Sequence, residues 1–202
     1  MLPRLYPIVD ASCFSETADL VRFGEELMAA GASLIQYRNK RDRARRILEQ
    51  ARELKQAIGN QAKLIMNDRA DLCLAGGFDG VHVGQDDLSP EAARLVVGPD
   101  LWVGISTHNP EQLANADATS ADYVAIGPVF PTSSKEKPDP VVAIGGVKRA
   151  SQLTRKPLVA IGGITRANCR QVIEAGADSV AVIADLLQDP RKSAEEFFRI
   201  LR

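Results

Sequence analysis

The chain has 202 residues, of which 45% are hydrophobic and 25% are charged. A chain of this length and composition can bury a substantial core, and we expect one globular domain over residues 1–202. Its net charge of −1 and its pI of about 6.2 lack the excess of positive charge that binding to nucleic acid or to an anionic membrane requires. We therefore expect neither nucleic acid nor a membrane among its partners.

Three cysteines, Cys13, Cys73 and Cys169, lie far apart in the sequence. Their odd number and wide spacing fit neither a zinc site nor a redox pair, so we expect reduced thiols in the core. No stretch approaches the roughly 18 apolar residues of a membrane span, and residues 1–6 lack the pattern of a secretory signal. These features predict a cytoplasmic protein.

Eight short β-rich segments alternate with segments of helical periodicity along the chain. The predicted strands cover residues 5–9, 33–37, 63–66, 80–83, 102–105, 123–126, 157–161 and 179–183. Between them apolar residues recur three and four positions apart, and Gly31 and Gly176 each end a helix before the next strand. This alternation predicts a (β/α)₈ TIM barrel of parallel strands. An open doubly wound sheet is the alternative, but the first strand lacks the glycine-rich dinucleotide turn of that fold.

Polar residues follow the second predicted strand, where a barrel of this kind places its catalytic loops. Gln36, Arg38 and Lys40 alternate there, so in an extended segment their side chains point to one side. A guanidinium that binds phosphate through paired hydrogen bonds, beside an ammonium, suits a diphosphate. The alternative is an exposed charged loop.

Two aspartates, Asp68 and Asp87, lie in the short polar segments after the third and fourth predicted strands. Neighbouring parallel strands lie about 4.8 Å apart, so these carboxylates can share one cation. Proteins commonly bind Mg²⁺ through a small number of carboxylates together with the phosphate of a substrate. We therefore predict Mg²⁺ as the cofactor. Asn67 can donate its amide hydrogens to phosphate, and Asp86 is the alternative ligand to Asp87. The structural alternatives are a helix N-cap for Asp68, together with Asn67, and a charge at a helix N-terminus for Asp87, shared with Asp86.

The later strand ends also carry polar groups. Ser106 and His108 follow the fifth strand and suit hydrogen bonding, whereas His82 lies inside the fourth strand and is expected in the core. The long polar segment 127–140 is typical of a lid, with hydroxyls from Thr132, Ser133 and Ser134 and a cation, Lys135, that can reach the anion bound after the second strand.

The segments after the last two strands occupy the place where many barrels bind a phosphate through backbone amides. Gly163 follows the seventh strand and lets a phosphate approach the main chain closely. Ile183 and Ala184 form the turn after the eighth strand. Together with the site after strands two to four, this predicts two anionic sites on one face, as an enzyme that joins two phosphorylated molecules needs.

Six short motifs run in order through nearly the whole chain. They are Gln36-x-Arg38-x-Lys40, Asn67-Asp68, Gly80-x-His82-x-Gly84-Gln85-x-Asp87, Gly104-x-Ser106-x-His108, Gly127-Pro128-x-Phe130-Pro131-Thr132-x-Ser134-Lys135 and Ile161-Gly162-Gly163-Ile164. Together they resemble the thiamine-phosphate synthase family. The resemblance implies a transferase that couples hydroxymethylpyrimidine diphosphate to hydroxyethylthiazole phosphate, with thiamine phosphate and pyrophosphate as products. It also implies a dissociative substitution in which the diphosphate leaves before the thiazole nitrogen attacks.

The same resemblance assigns roles to individual residues of this chain. Mg²⁺ would be bound by Asp68 and Asp87. The pyrimidine diphosphate would be bound by Gln36, Tyr37, Arg38, Asn39, Lys40, Asn67, Ser106 and Lys135. The thiazole phosphate would be bound by Thr132, Ser133, Ser134, Gly163, Ile183 and Ala184. The predicted catalytic residues are Arg38, Lys40, Ser106 and Lys135, of which the three cations would stabilise the departing pyrophosphate.

Other functions and one departure from the family pattern stay open at this point. A related barrel isomerase, the thiazole tautomerase, uses a histidine without the metal pair, and His108 keeps it as an alternative. A noncatalytic sensor of phosphorylated metabolites is a second alternative, but the retained Asp68 and Asp87 favour the synthase. Ala184 stands where the family commonly has serine, which predicts weaker binding of the thiazole phosphate. Barrels of this type commonly self-associate, so a homo-oligomer is an alternative to a monomer.

Overall fold

Eight parallel strands close into a barrel in the computed structural model, which describes residues 2–132 and 139–202. Each strand pairs with the next in sequence, and β8 pairs with β1. The strands are β1 (Leu5–Asp10), β2 (Leu34–Arg38), β3 (Lys63–Asn67), β4 (Gly80–Val83), β5 (Trp102–Thr107), β6 (Tyr123–Ile126), β7 (Leu158–Ile161) and β8 (Ser179–Val182). The predicted (β/α)₈ barrel is confirmed.

A helix follows every strand and covers the outside of the barrel. The helices are α1 (Thr17–Ala29), α2 (Ala44–Ile58), α3 (Ala70–Gly76), α4 (Pro90–Val97), α5 (Pro110–Asp117), α6 (Ala143–Leu153), α7 (Cys169–Glu174) and α8 (Pro190–Ile200). Two short 3₁₀ turns, Ala11–Cys13 and Ala184–Leu186, follow β1 and β8. Three helices start at a capping side chain followed by proline, as at Ser89, Asn109 and Asp189.

The core has two parts because side chains alternate along each strand. Outward-facing residues such as Ile35, Leu64 and Val124 pack against the helices. Inward-facing residues fill the barrel itself; the buried apolar and aromatic ones are Tyr6, Ile8, Leu34, Ile65, Tyr123, Ala125, Val159 and Ala181. The barrel is therefore a packed core, and its carboxyl-terminal edge presents the inward-facing residues at the end of each strand.

Four strands run further than predicted, to Asp10, Arg38, Asn67 and Thr107, because backbone pairing with the neighbouring strand continues past the last apolar residue. The polar residues at these ends are therefore held by the sheet instead of by loops. β7 begins at Leu158, one residue late, since Pro157 has no amide hydrogen to donate. Among residues 2–132 and 139–202, no helix has both the length and the apolar character needed to cross a lipid bilayer.

Candidate active site

Arg38 ends β2 on the inner side of the barrel, where it forms an ion pair with Asp10 at the end of β1. Asp10 is only 3% exposed and also accepts hydrogen bonds from the backbone N–H and the hydroxyl of Ser12, at 3.0 and 2.8 Å. The hydrogen bonds from Ser12 hold the Asp10 carboxylate in place, and its ion pair fixes the Arg38 guanidinium beside it. Asp10 is not among the predicted site residues, although it directly follows the first apolar run, as Asp68 follows the third.

Lys40 lies two residues beyond the end of β2, and its ammonium is 3.1 Å from Oδ2 of Asp68 at the end of β3. The Lys40 side chain is 47% exposed, so this ion pair is screened by water. Asp68 adopts a left-handed backbone conformation, with φ of 63°, which is costly for a residue other than glycine. Its N–H donates to the carbonyl of His82 on β4, at 2.8 Å, and this bond ties the strained residue to the neighbouring strand.

Asp68 and Asp87 meet at the ends of β3 and β4, as predicted from their positions after consecutive strands. Burial raises the pKa of the Asp68 carboxyl above its ordinary value; Lys40 opposes this rise, and the adjacent Asp87 carboxylate adds to it. Asp87 is held by the backbone N–H of Gly84, which donates to its Oδ2 at 2.8 Å. Two adjacent carboxylates are a suitable pair for a divalent cation.

The side chains around this pair fit Mg²⁺. Within the described residues there is no cluster of three or more histidine, cysteine, aspartate or glutamate side chains arranged to hold a metal. Mg²⁺ is nevertheless commonly bound by one or two carboxylates, with water and substrate phosphate completing its shell. Beside Asp68, the amide nitrogen of Asn67 is buried and has no hydrogen-bond partner. An unpaired buried donor is costly, and a phosphate oxygen beside the metal would satisfy it.

Two predicted substrate residues, Gln36 and Ser106, face the inside of the barrel on β2 and β5. Gln36 is 4% exposed and donates its amide N–H to the Tyr6 hydroxyl at 3.1 Å. Ser106 is partly exposed, and its hydroxyl is 2.8 Å from Nε2 of His82. His82 is 7% exposed, so the prediction of a core histidine is confirmed, and it directly supports Ser106.

Tyr37 and Asn39 do not join the group at the barrel edge. Tyr37 alternates with Gln36 and Arg38, so its fully buried ring faces the helices, and its hydroxyl donates to Gln50 of α2 at 2.8 Å. The Asn39 amide also donates to Gln50, at 2.9 Å, and its side-chain oxygen accepts two backbone N–H groups of the following loop. The structure therefore gives both residues a place in shaping the loop after β2, on the side away from the barrel interior.

His108 is engaged by both ends of the segment after β6. Its Nδ1 is 2.6 Å from the carbonyl of Gly127, and its Nε2 is 3.4 Å from Oδ2 of Asp139. The histidine therefore connects the entry and the exit of the segment that carries the predicted lid residues. Of these, Thr132 lies in the described part of the chain, whereas Ser133, Ser134 and Lys135 fall in residues 133–138, outside the described residues.

Gly163 follows β7 with φ of +63°, and its Cα lies directly beneath the segment after β6. A Cβ at this position would come within 2.5 Å of the Pro131 carbonyl oxygen and 2.8 Å of the Phe130 side chain. The Phe130 N–H donates to the Gly162 carbonyl at 3.0 Å, which holds the two segments together. Glycine is therefore required here by backbone conformation and by space. On the next strand, Ala184 is exposed and begins the 3₁₀ turn after β8.

The barrel edge thus combines an arginine fixed by a buried aspartate, a partly exposed lysine and a pair of carboxylates. A family model described as thiamine monophosphate synthase matches residues 5–186 of the chain. The chain belongs to this family. A thiamine-phosphate synthase of Koribacter versatilis (strain Ellin345) is 64% identical over 203 residues, which cover 99% of this chain and 96% of the relative.

Further relatives of this family agree with the assignment. A thiamine-phosphate synthase of Shouchella clausii (strain KSM-K16) is 40% identical and covers 91% of this chain, with 88% of the relative included. The solved structure of a thiamine phosphate pyrophosphorylase from Pyrococcus furiosus matches with a TM-score of 0.86 and 32% identity, over 98% of this chain and 95% of that one. The predicted family, the barrel and the class of enzyme, a transferase, are confirmed.

Proposed function

We propose that the chain couples hydroxymethylpyrimidine diphosphate to hydroxyethylthiazole phosphate and forms thiamine phosphate and pyrophosphate. The observation that carries this proposal is the meeting of Asp68 and Asp87 beside Lys40, next to the fixed Arg38, in a chain of this family. Two cations and two carboxylates suited to a divalent metal match a diphosphate that must leave with its negative charge.

In the proposed reaction, the bond between the methylene carbon of the pyrimidine and the diphosphate oxygen breaks first. Its electron pair leaves with pyrophosphate. The thiazole nitrogen then donates its lone pair to the methylene carbon and forms the new C–N bond. Neither step needs a nucleophile or base from the protein, so the site acts by holding the two substrates together and by neutralising charge.

The two cations contribute differently. Arg38 is held in place by the buried Asp10, and the guanidinium has further N–H groups to bind a phosphate oxygen. Lys40 has an exposed ion pair with Asp68, and such pairs contribute only about 0–1 kcal/mol, so the lysine exchanges its carboxylate for the incoming diphosphate. Arg38 therefore sets the position of the diphosphate, and Lys40 follows the leaving group.

Asp68 and Asp87 would hold Mg²⁺, which when bound supplies positive charge against the departing diphosphate. Asn67 donates its unpaired amide N–H to a phosphate oxygen in this arrangement. Lys135, predicted from the sequence to serve the same anion, adds a third cation. Thr132, Ser133, Ser134, Gly163, Ile183 and Ala184 are proposed to bind the thiazole phosphate.

The direct test is release of pyrophosphate after both substrates are mixed, with Mg²⁺ or with a chelator. We expect release only when both substrates and Mg²⁺ are present. Absence of release under all conditions rejects the synthase. Isomerisation of a thiazole substrate alone would establish the tautomerase, and binding of either phosphate compound without turnover would establish the sensor.

A matched pair of variants tests the metal assignment. Asp86 and Asp87 are both exposed, but only Asp87 contacts Asp68 among the described interactions. We expect D87A to lower turnover by about 10²–10³-fold, and D86A to retain turnover close to that of the unmodified chain. Reduced turnover in D86A with normal turnover in D87A would show that Asp86, and not Asp87, is the metal ligand.

A further inference from the structure

A continuous chain of hydrogen bonds crosses the inside of the barrel from β2 to β5. The Gln36 amide N–H donates to the Tyr6 hydroxyl at 3.1 Å, and this hydroxyl lies 3.0 Å from that of Tyr123. The Tyr123 hydroxyl lies 3.0 Å from Nδ1 of His82, whose Nε2 lies 2.8 Å from Oγ of Ser106. We call these five residues the interior relay. Both of its ends are residues of the proposed substrate site.

The middle of the interior relay is buried among apolar side chains. Tyr6 and Tyr123 are each 1% exposed and lie among the apolar residues that fill the barrel. Burial raises the pKa of both hydroxyls far above the ordinary tyrosine value, so both keep their protons. In such surroundings each hydroxyl hydrogen needs an acceptor, because a buried donor without a partner is strongly destabilising.

Gly104 on β5 leaves space for the hydrogen bond between Tyr123 and His82. A Cβ at this position would lie 2.1 Å from Cζ of Tyr123 and 2.5 Å from Nδ1 of His82. Its backbone φ is not in the left-handed region, so the glycine is needed for space alone. The contact between the Tyr123 and His82 rings therefore depends on a glycine at position 104, and the three residues lie on three different strands.

The donors and acceptors of the interior relay fit together in one direction. The Gln36 nitrogen can only donate, so the Tyr6 hydroxyl accepts from it and has the Tyr123 hydroxyl as the acceptor for its own hydrogen. Tyr123 then donates to Nδ1 of His82, which must carry no proton there. The remaining nitrogen, Nε2, is the protonated one and donates to Oγ of Ser106.

Resting on the proposed function, we propose that Tyr6, Tyr123 and His82 are positioning residues that fix the hydrogen-bond polarity of the pyrimidine site. They make Ser106 present its hydroxyl hydrogen, as a donor, to the substrate. At the other end they turn the nitrogen of Gln36 inward, so that its oxygen is the atom offered to the substrate as an acceptor.

This polarity matches the chemistry of an aminopyrimidine. Its ring nitrogens accept hydrogen bonds and its amino group donates them, so a site with one fixed donor and one fixed acceptor recognises both kinds of group. A pyrimidine with a carbonyl oxygen in place of the amino group would present an acceptor to the Gln36 oxygen and leave that oxygen unpaired. The interior relay therefore adds selectivity for the amino form of the substrate.

The tautomer of His82 can be observed directly by ¹⁵N NMR of the histidine rings. The chain has only two histidines, and the other one provides an internal reference. His108 Nδ1 contacts the carbonyl of Gly127, which can only accept, so that nitrogen must carry a proton. We expect His82 to show an unprotonated Nδ1 and a protonated Nε2, and His108 to show a protonated Nδ1. A protonated Nδ1 on His82 would reverse the direction of the relay and overturn the proposal.

A kinetic test uses Tyr123→Phe, which removes the central hydroxyl and keeps the ring. We expect the KM for pyrimidine diphosphate to rise about tenfold, as for the loss of one such hydrogen bond, with the KM for thiazole phosphate unchanged. Thr107→Val is the matched control, because the buried Thr107 hydroxyl donates to the Ala125 carbonyl at 2.8 Å on the outer side of the same strands. We expect T107V to leave both KM values unchanged.

The outcomes separate this proposal from the proposed function. If the unmodified chain releases pyrophosphate, but Y123F keeps its KM or raises both KM values as much as T107V does, the relay does not position the pyrimidine. If the unmodified chain has no synthase activity, the NMR result still decides the direction of the relay. A mixture of His82 tautomers in Y123F, with one tautomer in T107V, is the expected spectroscopic result.

Discussion

The close approach at Gly163 provides a quantitative test of how the segment after β6 is held on the barrel. In G163A the new methyl group would meet the Pro131 carbonyl oxygen at 2.5 Å, and the residue would have to keep φ of +63°. The conformation costs about 1–2 kcal/mol for a residue other than glycine. The overcrowding costs a further 1–3 kcal/mol or so, which gives a total of about 2–5 kcal/mol.

Gly77 is a matched control, because it has φ of +69° at the end of α3 and nothing within 4 Å of the position that a Cβ would take. G77A is therefore destabilised only by the left-handed backbone conformation. Both variants gain the same small amount from a less flexible unfolded chain, so this effect cancels in the comparison. The difference between the two, about 1–3 kcal/mol, isolates the overcrowding.

Thermal unfolding followed by circular dichroism measures this difference. For a chain of this size, 1 kcal/mol changes Tm by about 2–4 °C, so G163A is expected to unfold about 2–12 °C below G77A. Because the displaced segment leads to Thr132, G163A should also raise the KM for thiazole phosphate, while G77A should not. Equal Tm values for the two variants would refute the close packing of Gly163 against Pro131.

Three further predictions concern the lid lysine, the thiols and acid stability. K135A should lower turnover by about 10²–10³-fold with little change in Tm, whereas K137A should keep normal turnover. Steady-state kinetics of both variants tests this, and normal turnover in K135A would contradict the role of Lys135. Thiol titration of the native protein should modify the exposed Cys13 but not Cys73, because burial raises the pKa of the Cys73 thiol to about 12; rapid modification of Cys73 would contradict its burial. A hydroxyl and a backbone N–H after α6 hold the pKa of Asp117 below its ordinary value. Its stabilising effect is therefore present above about pH 4 and lost at lower pH, so D117N should lower Tm near pH 7 and have little effect near pH 2.

Much of the fold was predictable, because strand ends in a parallel barrel fall where apolar runs stop at polar residues. Asp68 and Asp87 were correctly expected to meet, since they follow consecutive strands. Alternation along β2 likewise predicts that Gln36 and Arg38 share a side. The same rule separates Tyr37 from them, and the structure places its side chain among the helices. Local sequence therefore predicts where a residue lies along its own strand and which side of the strand its side chain faces.

Contacts across the barrel were not predictable in this way. Tyr6 and Tyr123 are 117 positions apart, and their hydrogen bond depends on how all eight strands close. The burial of Asp10 against Arg38 depends likewise on the register of β1 with β2. A polar residue at the end of an apolar run was the available signal for Asp10. For the tyrosines, periodicity predicts only burial, and the partner is set by tertiary structure.

We propose above all that this barrel joins two phosphorylated molecules through a new C–N bond. The most direct measurement is the ratio of thiamine phosphate to pyrophosphate formed by the unmodified chain from the pyrimidine diphosphate and the thiazole phosphate. We predict one molecule of each product per turnover, and neither product when either substrate or Mg²⁺ is omitted. Pyrophosphate formed without the coupled product, or no pyrophosphate at all, would contradict the account.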